Sequence, residues 1–282
     1  MIHTGNIIAG QLLCSFVEAS LQGIEAGAAV LDLGAGYGRV GSALEAMNPS
    51  AEIVSLEINP ELVLRGVESA KSLNFTYGDV KEIPFPDQSF DAVSAVNVFH
   101  EVASSNELGT RLEEFDQAIN EVSRVLRLGG QLIMFDGAMP LEGNSAVLVR
   151  SHTARAEALL RKFASEYTAR KPDIIFDYPG YAVTDVSTLA TLLTKFDYLV
   201  EDEPWEGERK QLYPFATIPE ITNAMARNDL LTTSVTHPTP DVRPGLKALL
   251  ENYFVSDAIS GIAFDQDIFP YCQAMIKATK VS

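Results

Sequence analysis

The chain is short of cysteine and of positive charge, and each shortage removes a class of function. Its 282 residues hold two cysteines, Cys14 and Cys272, far apart in sequence. Two such residues fit a reduced, cytoplasmic protein better than a disulfide framework. Lys and Arg number 21 against 38 Asp and Glu, giving a formal charge of −17 and a pI near 4.6. Phosphate backbones are bound by neutralising them with basic side chains, and no run of clustered Lys and Arg is present, so no nucleic-acid partner is expected. The same sign argues against anionic membrane surfaces. Long charge-free apolar runs of bilayer length are missing. The first basic residue is Arg39, so no leader with a charged start is expected. His3, His152 and His237 lack ligand spacing to other His or Cys residues, and no metal site is expected.

What is present is an ordinary folding composition, 46% hydrophobic and 21% charged with a mean hydropathy of +0.07. The length buries a core large enough for one α/β domain or for a domain carrying an insertion. Apolar spacing through Ile8, Leu12, Phe16 and Val17 predicts an amphipathic N-terminal helix. Short buried strands are then expected at 28–33, 53–56, 75–77, 91–96 and 131–135. Asn59 and Pro60 read as the start of a helix between the second and third. A long helix runs from Leu108 to Leu126, and Gly129-Gly130 is expected to stop it. Such alternation implies a parallel sheet covered by helices on both faces. The rhythm breaks after Asp136. A charged helix (151–169) and an aromatic, proline-bearing stretch follow, so 137–215 reads as an inserted lid, with 1–136 and 216–282 forming the sheet domain. Within the latter, a helix at 218–228, a strand at 231–235, a helix at 246–254 and a closing strand at 273–281 are expected.

The chemistry concentrates in Val30-Leu31-Asp32-Leu33-Gly34-Ala35-Gly36-Tyr37-Gly38-Arg39. Glycines after a strand let the backbone turn sharply and a ligand approach closely, because no Cβ stands in the way. Glu57, at the end of the second strand, stands where an acid grips the two hydroxyls of a ribose. A dinucleotide fingerprint would need a glycine at position 39, but Arg39 is there, and this disfavours NAD or FAD.

On these residues the chain resembles the class I S-adenosylmethionine-dependent methyltransferases, of the type 11-like domain. Four further segments match in order. Glu57-Ile58 resembles the ribose-binding acid and its neighbour, and Gly78-Asp79-Val80 the turn that contacts adenine. Ile83 to Asp91 is similar to the family's lead-in to the fourth strand, and Glu121 to Gly130 to the helix end before the fifth. The resemblance implies a Rossmann-like, doubly wound seven-stranded sheet of order 3-2-1-4-5-7-6 with the last strand antiparallel. It further implies S-adenosyl-L-methionine as cofactor, with S-adenosyl-L-homocysteine as product. The implied cofactor contacts are Asp32, Gly34, Ala35, Gly36, Glu57, Ile58, Gly78, Asp79, Val80 and Asn97.

The implied reaction is methyl transfer to O, N or C of a small molecule. A hydroxyl nucleophile would require a general base. His100 and Glu101, leaving the fourth strand, are the candidates, against ordinary roles in capping the strand and starting a helix. Tyr178, Tyr181, Trp205, Arg209 and Tyr213 are the candidate substrate contacts, with Lys210 and Phe215 beside them, against the plainer role of packing the insertion. Asn97-Val98-Phe99-His100 is not the Asn/Asp-Pro-Pro-Tyr/Phe of enzymes that methylate planar exocyclic amines, and no Pro-Cys nucleophile exists. Three alternatives stand beside this reading: aminopropyl or carboxymethyl transfer on the same scaffold, a regulatory or scaffolding protein without turnover, and a nicotinamide oxidoreductase. A homodimer is left open.

Overall fold

The computed structural model describes residues 25–103, 108–139, 146–151, 153–199, 202–236, 254–257 and 273–282. The expected N-terminal helix, both cysteines, His3, His152, His237 and most of the expected 246–254 helix lie outside them. The chain divides into two units. The first comprises 1–136, 219–237 and 274–282; the second comprises 137–218 and 238–273.

In the first unit the apolar run Ala29–Leu33 forms β1, and Arg39–Met47 forms helix α1. Next come β2 (Glu52–Glu57), α2 (Pro60–Ser69) and β3 (Asn74–Tyr77). Asn59 caps α2 as expected: its side chain accepts the Glu61 N–H, and Pro60 occupies the first turn, where a missing N–H costs nothing. After β4 (Phe90–Val96) the chain makes a single turn, α3 (Phe99–Val102), and the long helix α4 (Leu108–Val125). The strand β5 (Leu126–Met139) follows directly.

The helix therefore stops before Gly129-Gly130, contrary to the sequence reading. The ammonium of Lys280 donates to the carbonyls of Ser123 and Leu126, satisfying acceptors that a helix end leaves open. Phe90 pairs with Leu126, pairing resumes at Ala92 with Gln131, and the glycines lie in the irregularity between.

Pairing is parallel from β3 through β2, β1 and β4 to β5. Helix α8 (Ile218–Arg227; α5 to α7 belong to the second unit) leads to β10 (Leu230–Thr236), which pairs antiparallel with β12 (Gln273–Lys280). The order β10-β12-β5-β4-β1-β2-β3 is the implied 3-2-1-4-5-7-6. Val30, Leu44, Ile53, Leu73, Ala92, Ile133 and Phe135 form one buried cluster on this sheet. Each fully buried side chain of that size contributes about 1.5–3 kcal/mol.

The second unit carries a four-stranded antiparallel sheet. Its strands are β6 (Ala146–Ser151), β7 (Ile174–Tyr178), β8 (Tyr181–Asp185) and β11 (Phe254–Asp257), in the order β11-β6-β8-β7. Helices α5 (Ala154–Glu166), α6 (Val186–Leu199) and α7 (Asp202–Glu208) accompany it. The short β9 (Ala216–Thr217) pairs with Ala138 and Met139 at the end of β5. Two expectations need correction. Phe254 opens a strand and does not end a helix. Through β11, part of the stretch assigned to the sheet domain joins β6 in the second unit. Among the described residues no helix is long and apolar enough to cross a membrane.

Candidate cofactor site and a histidine–aspartate pair

β1 lies between β2 and β4, so the chain leaves it in opposite directions on its two sides, and the carboxyl end of β1 is the point where a crevice opens in such sheets. Register brings the expected residues to that edge. Leu33 is level with both Leu56 and Ala95, so Gly34, Glu57 and Val96 occupy the next level, with Asn97 just beyond.

The turn after β1 requires its glycines. Gly34 and Gly36 have φ of 60° and 56°, the left-handed region that side chains rarely enter. A Cβ on Gly34 would come within 2.5 Å of Val98 Cγ2, whereas one on Gly36 would meet nothing within 4 Å. The first glycine serves packing, and the second keeps open space at the strand end.

Glu57 fastens this turn. One carboxylate oxygen accepts the Gly36 N–H at 2.8 Å and the other accepts the Asn59 N–H at 2.8 Å. A carboxylate offers about four lone-pair positions, so these two bonds use about half of them. Asp32, buried below the turn, accepts the Gly41 N–H at 3.0 Å. Burial pushes its carboxyl up to about 7 against the lowering effect of that bond, and the Glu57 charge adds to the rise. Asp32 thus ties the end of β1 to the first turn of α1.

Ile58 is exposed beside Glu57, an apolar surface next to the acid. Gly78 donates its N–H to the Glu57 carbonyl, which joins the end of β3 to the end of β2. Asp79 accepts the Lys81 N–H with Oδ1 at 2.8 Å, and Val80 is buried beneath it. Asn97 is exposed with φ of 55°, and its N–H donates to the Phe135 carbonyl. Non-glycine residues in this region are uncommon outside turns and functional sites, and asparagine tolerates it best. The structure thus gathers Gly34, Ala35, Gly36, Glu57, Ile58, Gly78, Asp79, Val80 and Asn97 along the carboxyl ends of adjacent strands.

Two quoted segments serve structure. The Arg124 guanidinium donates to Glu121 through two nitrogens, to Asp87, and to the carbonyls of Ile83 and Phe85. Glu121 in turn accepts the Ile83 N–H. The 83–91 and 121–130 segments are two halves of one clamp.

His100 sits at the start of α3, buried, with its Nδ1 2.8 Å from Asp136 Oδ1. The other Asp136 oxygen accepts the Phe99 N–H at 2.7 Å and the His100 N–H at 3.3 Å. Asp136 is the functional candidate that sequence reasoning passed over. Its signal was an acid directly ending an apolar strand, the same signal that marked Glu57. Glu101, one residue on, is exposed.

The five candidate substrate contacts separate into two groups. Trp205 is buried against Phe163 and Tyr167, and its indole N–H donates to Glu166 at 2.7 Å. Arg209 donates to Glu206 and to the Glu166 carbonyl, and Tyr213 is buried within 5.8 Å of the Lys195 ammonium. These three pack the second unit itself. Tyr178 and Tyr181 face each other across the β7–β8 hairpin and are exposed, 74% and 37%. Among the described residues no group of three or more His, Cys, Asp or Glu is arranged to hold a metal ion.

Comparison with known proteins matches residues 31–134 to a methyltransferase domain family. The ubiquinone/menaquinone biosynthesis C-methyltransferase UbiE of Hahella chejuensis is 30% identical over 125 residues, covering 42% of this chain and 46% of that protein. The demethylmenaquinone methyltransferase of Deinococcus radiodurans is 30% identical over 158 residues, covering 53% of this chain and 61% of that protein. The chain thus spans about half the length of the curated relatives it matches. In fold it is similar to the geranyl diphosphate C-methyltransferase of Streptomyces coelicolor, with a TM-score of 0.58 and 14% identity over 96% of this chain and 76% of that one. The YcgJ protein of Bacillus gives a TM-score of 0.53 at 16% identity, over 97% and 99% of the two chains. Residues 31–134, which run from β1 into β5 of the Rossmann-like sheet, thus match a methyltransferase domain family.

Proposed function

We propose that this protein transfers the methyl group of S-adenosylmethionine to a small-molecule acceptor. The observation that carries the reading is Glu57, whose two oxygens hold the Gly36 turn and the Asn59 amide with about half of their accepting capacity left for two hydroxyls. Around it stand the open space at Gly36, the exposed apolar Ile58 and the half-buried Asp79. This donor and acceptor set suits a ribose, an adenine face and an exocyclic amine. Bound there, the cofactor supplies an electrophilic methyl carbon. The chain supplies position and a route for a proton, the two needs of an in-line displacement. The acidic balance of the whole chain favours a small molecule over a nucleic acid. Relatives named for C-methylation and for demethylmenaquinone favour carbon as the acceptor atom in this reading.

Calorimetric titration with S-adenosylhomocysteine, with NADH as control, tests the reading. One-to-one binding of the former alone is expected. Hydrogen bonds to a charged group contribute about 1.5–3 kcal/mol, so Glu57→Ala should weaken binding by roughly 10- to 100-fold. Unchanged affinity in that variant, or no binding by the folded parent, rejects the proposal.

A further inference from the structure

Asp136 and His100 come together only because β4 and β5 are neighbours: Val96 is level with Phe135, so Asn97, just past the end of β4, lies beside Asp136 within β5. The Asp136 carboxylate then engages three donors of the α3 turn, the Phe99 N–H, the His100 N–H and His100 Nδ1. Both side chains are more than nine-tenths buried, which holds the imidazole in one orientation. A carboxylate only accepts hydrogen bonds, so the ring proton sits on Nδ1 and proton uptake is confined to Nε2.

We propose that Asp136 is a positioning residue that fixes His100 as the proton acceptor of the transfer, and that the acceptor is therefore one that gives up a proton as it is methylated, as a phenolic or enolic hydroxyl, or a ring carbon activated by one, does. The inference rests on the methyl-transfer reading and names its substrate class. In the step, an electron pair of the acceptor forms the new bond to the methyl carbon. The sulfur–methyl bond breaks with its pair remaining on sulfur, and the acceptor's O–H or C–H proton passes to Nε2, then to water. The Asp136 charge stabilises the imidazolium that forms. Carboxylates, thioethers and tertiary amines attack with a pair that holds no proton at neutral pH. A buried base fixed by an acid gives them nothing.

The test separates cofactor binding from proton chemistry. Calorimetry with S-adenosylhomocysteine comes first, and a parent protein that does not bind overturns the proposed function and this inference together. Long-range 1H–15N NMR of histidine-labelled protein then compares the parent with Asp136→Asn. The new amide keeps a carbonyl oxygen for the Phe99 N–H but presents an N–H to Nδ1. The His100 proton is expected on Nδ1 in the parent and on Nε2 in the variant, with S-adenosylhomocysteine affinity unchanged. Labelled methyl donor is finally offered with four probes: a naphthohydroquinone, a phenol, a long-chain carboxylate and a thioether. Label is expected on the first or second, falling about 10²- to 10⁴-fold in Asp136→Asn. The same tautomer in both proteins, equal rates, or label on the carboxylate, the thioether or none of the four overturns the inference.

Discussion

Asp32 shows how one residue links the sheet interior to the site above it. Register sets it level with Ser55 on β2 and Ser94 on β4, so three buried polar side chains cross the middle of the sheet. Among the described residues the hydroxyls of both serines find no hydrogen-bond partner, and the carboxyl is pushed up to about 7 by burial. A raised carboxyl binds its proton more tightly folded than unfolded. Its effect on stability is therefore neutral at low pH and increasingly unfavourable as pH climbs from about 4 to about 7. Asp32→Asn keeps an oxygen for the Gly41 N–H and removes that charge. In cofactor-free protein the parent should lose at least about 5 °C more Tm than the variant between pH 5 and pH 8. Parallel Tm profiles would show that Asp32 is not protonated in the folded state. At this scale the sequence was legible wherever a residue answers a local backbone demand. Gly34, Gly36 and Glu57 declare themselves through turn chemistry within a few positions of a strand. The Asp136–His100 pair does not, because 36 residues separate its members and only strand adjacency joins them.

Among elements, the Arg124 clamp ties the C-terminal part of α4 to the loop entering β4. Its planar guanidinium fork fits Glu121 and two carbonyls at once, which a lysine ammonium does not reproduce. Arg124→Ala should cost about 2–4 kcal/mol, read as a lower urea midpoint at constant m, and Arg124→Lys should recover less than half of it. A loss within about 0.5 kcal/mol would reduce the clamp to an ordinary surface pair. The hydrogen bonds from Arg124 hold the Glu121 carboxyl below its usual range, so this contribution is complete above about pH 4.5 and fades as pH falls through the lowered value. The parallel strands of the first unit were readable one by one, because most are short apolar runs, and β1, β2 and β3 end at or just before a glycine or an acid. The second unit was not. Helix α6 begins Val-Ser-Thr, residues of modest helix propensity, and owes its start to Asp185, whose carboxylate accepts the Thr188 N–H and hydroxyl. The β7–β8 hairpin turns on Pro179-Gly180, with Gly180 at φ of 79°, a local signal that the surrounding aromatics obscured.

For the molecule as a whole, a charge of −17 is a self-repulsion that the folded state carries more densely than the unfolded chain. Raising NaCl from about 20 to about 200 mM shortens the Debye length from roughly 20 Å to below 10 Å, and Tm should rise by a few degrees. A flat or falling Tm would mean that local ion pairs such as Arg124–Glu121 outweigh the net charge. Whole-molecule organisation was legible as a strand order and illegible as a boundary, since nothing local in 238–273 announces that β11 belongs with β6. The strand order also has a consequence in time. β12 lies between β5 and β10, yet it is translated after both of them. Until Gln273–Lys280 has been made, β5 presents an unpaired edge and β10 waits without its neighbour. A growing chain therefore exposes an unpaired strand edge, a surface prone to aggregation, from the completion of β5 until β12 has been made.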